Sequence, residues 1–441
     1  MIKLFALCTA IFFAAIPAHA ELNIELNIQE VTSKGGITAW LVNEPSIPMI
    51  AMNIAFQGAS TSDPVDKLGA TYLMAGLLEE GAGDMDATAF KQAAEGLASS
   101  FDFDSSRESI TITAQFLSET RDDSVALLKM AITNPAFNTS AFERTKAQVQ
   151  SIIANNETDP QDIAARAFSE LAFKGHVYAQ PYRGTPETVA GLTPDDIRAA
   201  KARTMTKDRL FVGVVGDITA PELSILLDNL FGDLPANGAP LPDPITFQAT
   251  GGTTVVDFDT PQSVAIWGQQ GIPQKDPDFF AVYVMNYILG GGGFSSRLTQ
   301  EVREKRGLTY SVYSYLAGMD SADYYGGSVS SANERVGEAI DIIKQEWARM
   351  ANGGVTDAEL EAAIKYMTGS YPLRFDGNGQ IASILTYSQL NDFPIDYPKN
   401  RNSYISAVTK QDIARVAKRI LRADDLRFVV VGRPVGVTST D

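Results

Sequence analysis

The stretch Gly290–Leu316 reads GGGGFSSRLTQEVREKRGLTYSVYSYL, and its pattern decides how the second half of the chain is interpreted. A run of glycines precedes a predicted short helix, in which Ser295 or Ser296 can cap the free N–H groups. Gly307 stands where a left-handed residue is expected to end that helix. A strand is then predicted from Leu308 onward.

The side chains of this stretch alternate along the predicted strand. One face is predicted to carry Leu308, Tyr310, Val312 and Leu316, and the other Thr309, Ser311, Tyr313 and Tyr315. Within the helix, Leu298 and Val302 lie four residues apart and share one face. Arg303 in the last helical turn can therefore approach Tyr310 across the Gly307 turn. Judged by residue type alone, such an arginine is typical of a solvated helix end and such a tyrosine of packing.

The run FSSRL-x-QEVREKRGL-x-Y-SVYSY resembles the C-terminal signature of the insulinase-like (M16) metallopeptidases, and most closely their two-domain M16B branch. In that family an Arg and a Tyr seven residues apart help to bind the peptide and to stabilise the reacting carbonyl. The resemblance assigns these roles to Arg303 and Tyr310, because 310 − 303 = 7. Gly290–Gly293 lacks the Gly-Lys-Ser/Thr ending of a phosphate loop, so a loop lining a peptide cleft is the favoured interpretation.

The chain begins MIKLFALCTAIFFAAIPAHA, a positive start followed by an apolar run and a small-x-small site. This pattern predicts a cleaved signal peptide at residues 1–20 and a periplasmic product. The apolar run is too short to favour a membrane anchor, and no membrane insertion is expected. Cys8, preceded by Leu7, does not fit a lipid-attachment site. Since Cys8 is the only cysteine, the mature chain has no disulfide. A formal net charge of −17 argues against nucleic-acid binding.

Two pairs of sequence landmarks indicate an internal repeat. Asp63-Pro64 and Asp276-Pro277 each follow a strand-like run, and 277 − 64 = 213. Thr193 and Thr409 each open an amphipathic helix that leads to an apolar strand, and 409 − 193 = 216. Two independent landmarks with nearly the same spacing predict one domain used twice.

The predicted organisation is a signal peptide (1–20), a first domain (21–230), a Pro/Gly-rich linker (231–252) and a second domain (253–441). Alternating strand and helix patterns predict an α+β fold (α/β roll), with a sheet covered by helices on one face in each domain. The resemblance implies that each sheet is mixed and mainly antiparallel. It also implies that the two homologous domains form a clam shell of the LuxS/M16 metallopeptidase-like type.

An active member of the family carries His-x-x-Glu-His on the first long helix and a further Glu ligand on a later helix. When Gly69 and Gly81 are aligned with the glycines that bracket this motif, other residues occupy the motif positions. Tyr72 and Gly76 replace the two histidines, and Ala75 replaces the catalytic glutamate. The later ligand position falls near Ser151 or Ile152.

Counting histidines supports the same conclusion without an alignment. The sequence has only His19 and His176, and His19 leaves with the signal peptide, so a His₂Glu zinc site is not possible. Glu79 and Glu80 point about 100° apart on a helix and are typical of a solvated helix end. An all-carboxylate site for another metal stays open, although no spacing predicts one. His176, next to Tyr178, is typical of a hydrogen-bonded structural histidine, and its alternative is a lone base.

The resemblance implies a non-catalytic subunit of a heteromeric M16B zinc peptidase. In this hypothesis a zinc-bearing homologue, in a heterodimer or heterotetramer, supplies the zinc, the water and the general base. An extended peptide adds along a sheet edge. Tyr310 donates to the scissile carbonyl or its oxyanion, and Arg303 orients Tyr310 or the peptide backbone. We expect neither a cofactor nor peptidase activity in the chain alone.

Two alternatives have other functional classes. The chain can be a homodimeric shell that captures exported peptides without chemistry. It can instead be a structural subunit of a larger membrane-bound complex, a role that relatives of this family also fill, although no anchor or strongly basic surface is visible in the sequence.

Overall fold

The computed structural model describes residues 26–440. The predicted signal peptide, residues 1–20, lies outside that range. Within residues 26–440, no helix combines the length and the apolar composition needed to span a membrane.

The described part of the first half contains one sheet. Its strands are β1 (Ile28–Thr32), β2 (Thr38–Asn43), β3 (Met49–Gln57), β4 (Ser100–Ser105), β5 (Ser109–Leu117) and β6 (Leu210–Gly216). Their spatial order is β1-β2-β6-β3-β5-β4, in which β2 and β6 run parallel and the other neighbours antiparallel. Every second side chain of β5 is buried, so one face of this strand packs against the core.

The second half repeats this topology. Its strands are β7 (Gly252–Asp257), β8 (Gln262–Gln270), β9 (Thr309–Gly318), β10 (Asp323–Ala332) and β11 (Arg427–Gly432). They are ordered β7-β11-β8-β10-β9, with β7 and β11 parallel and the other neighbours antiparallel. This order and these directions match β2-β6-β3-β5-β4 strand for strand. The structure therefore confirms two homologous domains with mixed, mainly antiparallel sheets.

The described helices also fall into two sets. The first half carries α1 (Ala70–Leu77), α2 (Ala87–Gly96), α3 (Arg121–Thr133), α4 (Thr139–Asn156), α5 (Pro160–Ala172), α6 (Pro186–Ala190), α7 (Pro194–Thr204) and α8 (Ala220–Phe231). The second half carries α9 (Phe279–Asn286), α10 (Val336–Gly353), α11 (Asp357–Gly369), α12 (Asn378–Leu390), α13 (Tyr397–Ser406) and α14 (Lys410–Ile420). Helices α7 and α14 begin with the predicted threonine caps, Thr193 and Thr409, each in a reciprocal capping box.

Each sheet also has a helix of the other half on its second face. Helix α5 packs Ile163 and Phe168 against the second sheet, on strands β8 and β11. Helix α12 packs Ile381 and Leu385 against the first sheet, on strands β3 and β6. We predicted helices on one face only, and that prediction was incomplete. Strands β6 and β11 are apolar on both faces, so both faces must be covered.

Small residues allow the exchanged helices to approach closely. A Cβ at Gly213 of β6 would lie 2.3 Å from the Ala382 carbonyl oxygen of α12. A Cβ at Gly268 of β8 would lie 2.6 Å from the Phe168 ring of α5. Both distances are too short for non-bonded atoms, so any larger residue would displace the crossing helix.

The linker runs along α5 rather than standing free. The Phe247 ring lies 5.8 Å from Phe168 and 6.3 Å from Phe173, measured between ring centroids. The Gln248 N–H donates to the Ala172 carbonyl over 2.8 Å. The linker thus adds a layer over the helix that crosses between the halves.

The outer hairpins of the two halves, β4–β5 and β9–β10, meet at their tips. The Glu108 carboxylate accepts hydrogen bonds from the Tyr178 hydroxyl and, over 2.8 Å, from the Asp320 N–H. Burial raises the pKa of Glu108 above its usual value. Burial also raises the pKa of Asp323, at the start of β10, to about 6.

Candidate functional site

Arg303 is presented by an irregular helical turn, Thr299–Glu304. The Lys305 N–H donates to the Gln300 carbonyl over 3.0 Å, five residues back, which is π-helical geometry. Of the two predicted caps, Ser296 accepts the Thr299 N–H over 3.4 Å. The predicted apolar face is confirmed, since Leu298 and Val302 are fully buried.

The turn after this segment has the predicted left-handed residue. Gly307 has a φ of 59°, and its N–H donates to the Arg303 carbonyl over 2.8 Å. The Arg303 guanidinium lies 4.6 Å from the centroid of the Phe294 ring, and its Nε lies 3.4 Å from a Glu304 carboxylate oxygen. Arg303 thus rests on an aromatic surface and stays partly open to solvent.

A buried ion pair holds this segment against α11. Arg297 donates to the two carboxylate oxygens of Glu359 over 2.6 and 2.9 Å, and to the Gly354 carbonyl over 2.9 Å. The Arg297 hydrogen bond lowers the pKa of Glu359 to about 2. The arginine of the FSSRL motif therefore positions the segment and is not available to a ligand.

Tyr310 lies on β9, the edge strand of the second sheet, and 84% of its surface is exposed. Strand alternation placed it on one face with Leu308 and Val312, both of which are buried. For Tyr310 this prediction was wrong.

The reason for the change of face is a β-bulge. Val312 pairs with Val329, but Thr309 pairs with Ser331, so β9 holds one extra residue between these two pairs. A bulge of this kind breaks the alternation and re-aims a side chain. Tyr310 consequently points to solvent, as Tyr313 on the same strand also does.

The structure places Arg303 and Tyr310 on either side of one tight turn. Among residues 26–440, no hydrogen bond or ion pair joins the two side chains. The side chain of Arg303 is 34% exposed, so both groups are accessible to a ligand. Their joint action on a peptide stays a prediction.

Helix α1 carries Tyr72, Ala75 and Gly76, the residues that we predicted at the positions of the family's His-x-x-Glu-His motif. Ala75 is buried, whereas Gly76 is exposed. The Tyr72 ring makes an edge contact with Tyr182 at 5.9 Å. A Cβ at Gly76 would lie 3.4 Å from the Thr145 methyl group on α4. None of these side chains is a usual zinc ligand.

Helix α4 has no metal ligand at Ser151 or Ile152, where the third zinc ligand of the family was predicted to align. Ser151 is exposed and Ile152 is half-buried. Within residues 26–440, no group of three or more His, Cys, Asp or Glu side chains is arranged to hold a metal ion.

Two arginines of the first half lie next to the Tyr72–Tyr182 aromatic pair. The Arg183 guanidinium lies 4.5 Å from the Tyr182 ring centroid and 5.4 Å from that of Tyr72. The Arg107 guanidinium lies 5.6 Å from the Tyr182 centroid. Sequence analysis missed this group, because Arg107 stands in the β4–β5 turn and no spacing connects it to the other residues.

Of the two glutamates after α1, Glu79 is exposed, as predicted for a solvated helix end, and Glu80 is half-buried. The Glu79 carboxylate accepts the Phe103 N–H of edge strand β4 over 3.0 Å. Burial raises the pKa of Glu79. Glu80 forms an ion pair with Arg144 of α4. Glu79 therefore combines the predicted solvent exposure with a hydrogen bond to a backbone donor on the outer edge of the first sheet.

His176 makes two hydrogen bonds that define its tautomer. Its Nδ1 accepts the Tyr178 N–H over 3.3 Å, so Nε2 carries the proton and donates to the Asp243 carbonyl over 3.0 Å. The ring also packs against Tyr178, with centroids 4.7 Å apart. His176 thus caps a short turn and fastens the linker, which agrees with the structural interpretation.

Comparison with known proteins agrees with the two-domain fold. Residues 39–186 match the family description "Insulinase (Peptidase family M16)", and residues 191–367 match "Peptidase M16 inactive domain". The non-peptidase homolog YmxG of Helicobacter pylori is 28% identical over 87% of this chain and 89% of its own length. An uncharacterized zinc protease of Streptomyces coelicolor is 26% identical over 89% of this chain and 87% of its own length.

The fold has solved counterparts as well. The crystal structure of a peptidase M16 inactive domain from Pseudomonas fluorescens superposes with a TM-score of 0.87 at 24% identity. The match covers 94% of this chain and all of the other. With family domains matched over residues 39–186 and 191–367, this chain belongs to peptidase family M16.

Proposed function

We propose that the protein is the non-catalytic subunit of a heteromeric M16B zinc peptidase. In this proposal the chain supplies Arg303 and Tyr310, and a zinc-bearing homologue supplies the metal, the water and the general base. The substrate is an extended peptide that lies along the edge of the second sheet.

The observation that carries the proposal is the exposure of Tyr310. A tyrosine that is 84% exposed on an edge strand contributes little to packing, so its phenol is free to donate a hydrogen bond. An edge strand also leaves backbone donors and acceptors unpaired on its outer side. Backbone pairing along β9 would bring a peptide carbonyl near Tyr310.

The altered α1 helix supports the non-catalytic half of the proposal. Tyr72, Ala75 and Gly76 offer neither the imidazoles nor the carboxylate that zinc hydrolysis requires. The Helicobacter relative is itself called a non-peptidase homolog. We extend that description to this chain and add a partner that performs the chemistry.

The test compares the purified mature chain alone with a mixture that contains a homologue retaining His-x-x-Glu-His. Alone, the chain is expected to bind no stoichiometric zinc by elemental analysis and to leave an unfolded peptide intact. In the mixture, cleavage should exceed that of the homologue alone. Zinc-dependent cleavage by the isolated chain would contradict the proposal.

The same preparations separate the two alternatives. A stable homodimer that binds peptide but never raises the activity of a homologue would identify a peptide-capturing shell. Co-purification with membranes in a larger complex would identify a structural subunit. Export to the periplasm belongs to the proposal too, and it is tested by fractionating cells that express the full chain.

A further inference from the structure

The arginine site, defined as Arg107, Arg183, Tyr72 and Tyr182, is not used by the proposed action of Arg303 and Tyr310. Tyr72 stands in a position where the active family binds metal. Both arginines lie within 6 Å of the Tyr182 ring centroid. Two guanidinium groups therefore lie beside Tyr182, and that of Arg183 also lies beside Tyr72.

Within the residues that the structure describes, neither arginine of this site forms an ion pair. Within residues 26–440, no carboxylate lies within ion-pair distance of Arg183, and its Nε is buried without a hydrogen-bond partner. Arg107 donates only to the carbonyls of Tyr178 and Gln180, over 3.1 and 2.8 Å. The neighbouring Glu108 carboxylate accepts hydrogen bonds from the Tyr178 hydroxyl and the Asp320 N–H, and its charge offsets part of the charge of Arg107 without forming an ion pair with it.

Two other acidic groups lie near the site: Asp104, and Asp63, which lines a cavity with Arg107 and Tyr182 and forms an ion pair with Arg203. The negative charge of Asp104 on β4 disfavours ionisation of the Tyr182 phenol. Within residues 26–440, however, Asp104 forms an ion pair with neither arginine. Arg107 also interacts electrostatically with Tyr324 of β10, so the site borders the second half of the molecule. An arginine without an ion-pair partner, such as Arg183, is unusual in a chain of net charge −17, where acidic partners are plentiful.

The chemistry of the group favours a carboxylate. A guanidinium presents planar N–H donors that match a carboxylate in two parallel hydrogen bonds. The Arg183 guanidinium lies against the Tyr182 and Tyr72 rings, and its buried Nε has no hydrogen-bond partner within residues 26–440. We propose that Arg107 and Arg183 bind a carboxylate of the peptide that the protein holds, an assignment that rests on the peptide binding of the proposed function.

Calorimetric titration of the mature chain with three acetylated Ala/Ser peptides of about ten residues tests this proposal. The first peptide keeps its free C-terminal carboxylate, the second is amidated and contains one internal Glu, and the third is amidated and has no acid. We expect at least one acidic peptide to bind about tenfold more tightly than the third. The stronger of the two identifies the source of the carboxylate, a chain terminus or a side chain.

Two substitutions assign the effect to the site. Arg183→Gln is expected to reduce the binding of the preferred peptide to the level of the neutral one, and Arg183→Lys should retain part of the preference. Arg198→Gln is the matched control, since Arg198 lies on the surface of α7 and pairs only with Asp195. Circular dichroism verifies that each variant is folded.

Titration of the unmodified chain is enough to overturn the proposal. Equal affinities for the three peptides, or no binding of any of them at millimolar concentration, reject the carboxylate site. If the chain raises the activity of a zinc-bearing homologue but shows no acid preference, only this inference fails. If the acid preference holds without any activation, the heteromeric function fails and the arginine site remains.

Discussion

The outer hairpins β4–β5 and β9–β10 occupy the same place in two copies of one topology, yet their free edges differ. On β4, the Phe103 N–H that points away from β5 is already occupied by the Glu79 carboxylate, 3.0 Å away. On β9, a bulge turns Tyr310 into solvent. The comparison shows that single side chains can make equivalent strand edges of a repeated fold differ. One edge is closed, because a carboxylate occupies its backbone donor, and the other is open to solvent.

The sharpest test of this contrast is at the open edge. Tyr310→Phe removes only the phenol hydroxyl, and we expect it to lower the activation of a zinc-bearing homologue about 10²-fold, as for loss of an oxyanion donor. Tyr313→Phe removes the same group from an exposed tyrosine on the same strand and should have little effect. Steady-state peptide cleavage measures both, and equal losses would remove the special role of Tyr310.

The contact between the two hairpin tips gives the next largest effect. Glu108→Ala leaves the Tyr178 hydroxyl and the Asp320 N–H without their acceptor, so we expect the free energy of unfolding to fall by about 2 kcal/mol. Urea denaturation measures the change. Glu119→Ala, at an exposed position, is the control. If both variants lose the same stability, the two hairpins do not support each other through Glu108.

The closed edge should yield a smaller change. Glu79→Ala removes one hydrogen bond to the Phe103 N–H, and we expect a loss of about 1 kcal/mol of local stability. Because 1 kcal/mol corresponds to a factor of about five, the Phe103 amide should exchange with deuterium about fivefold faster. Glu95→Ala on α2 is an exposed control. An unchanged exchange rate at Phe103 would show that Glu79 does not close this edge.

The smallest effect concerns pH. Burial raises the pKa of Asp323 from 3.8 to about 6, so the folded state holds this proton more tightly than the unfolded state. The resulting stability is complete below pH 3.8 and is lost as the pH rises through 6. Since Asp323 is only partly buried, we expect less than about 1 kcal/mol.

The measurement is the difference in unfolding free energy between the wild type and Asp323→Asn at a series of pH values. That difference should change between pH 3.8 and 6 and level off above this window. Asp424→Asn, the same substitution at an exposed site, is the control. A flat curve for Asp323→Asn would mean that this end of β10 is well hydrated.

Local features were predictable from the sequence, and long-range features were not. Periodicity identified Leu298 and Val302 as buried, and residue type identified the left-handed Gly307. Alternation failed at Tyr310, because one extra residue in a strand reverses the facing and no residue in β9 marks the bulge. The repeat and the strand pattern thus gave the fold class but not the direction of its most exposed tyrosine.

The exchange of helices lay beyond the sequence for a different reason. The apolar positions of α5, Ile163 and Phe168, indicate that one face is buried but not which sheet covers it. The arginine site was missed similarly, since Arg107, Tyr72 and Arg183 come from three separate segments. Only Tyr72 was marked beforehand, through the motif position that it occupies.

Helices α5 and α12 begin 378 − 160 = 218 residues apart, close to the spacing of the other repeated landmarks. Each covers the sheet of the opposite copy, so a single copy of the repeat would leave an apolar sheet face bare. Two separate copies would have to exchange this helix, as the subunits of a domain-swapped dimer do. The chain therefore resembles a domain-swapped dimer whose two subunits are covalently linked. After a protease cuts the linker, we expect the two fragments to remain associated.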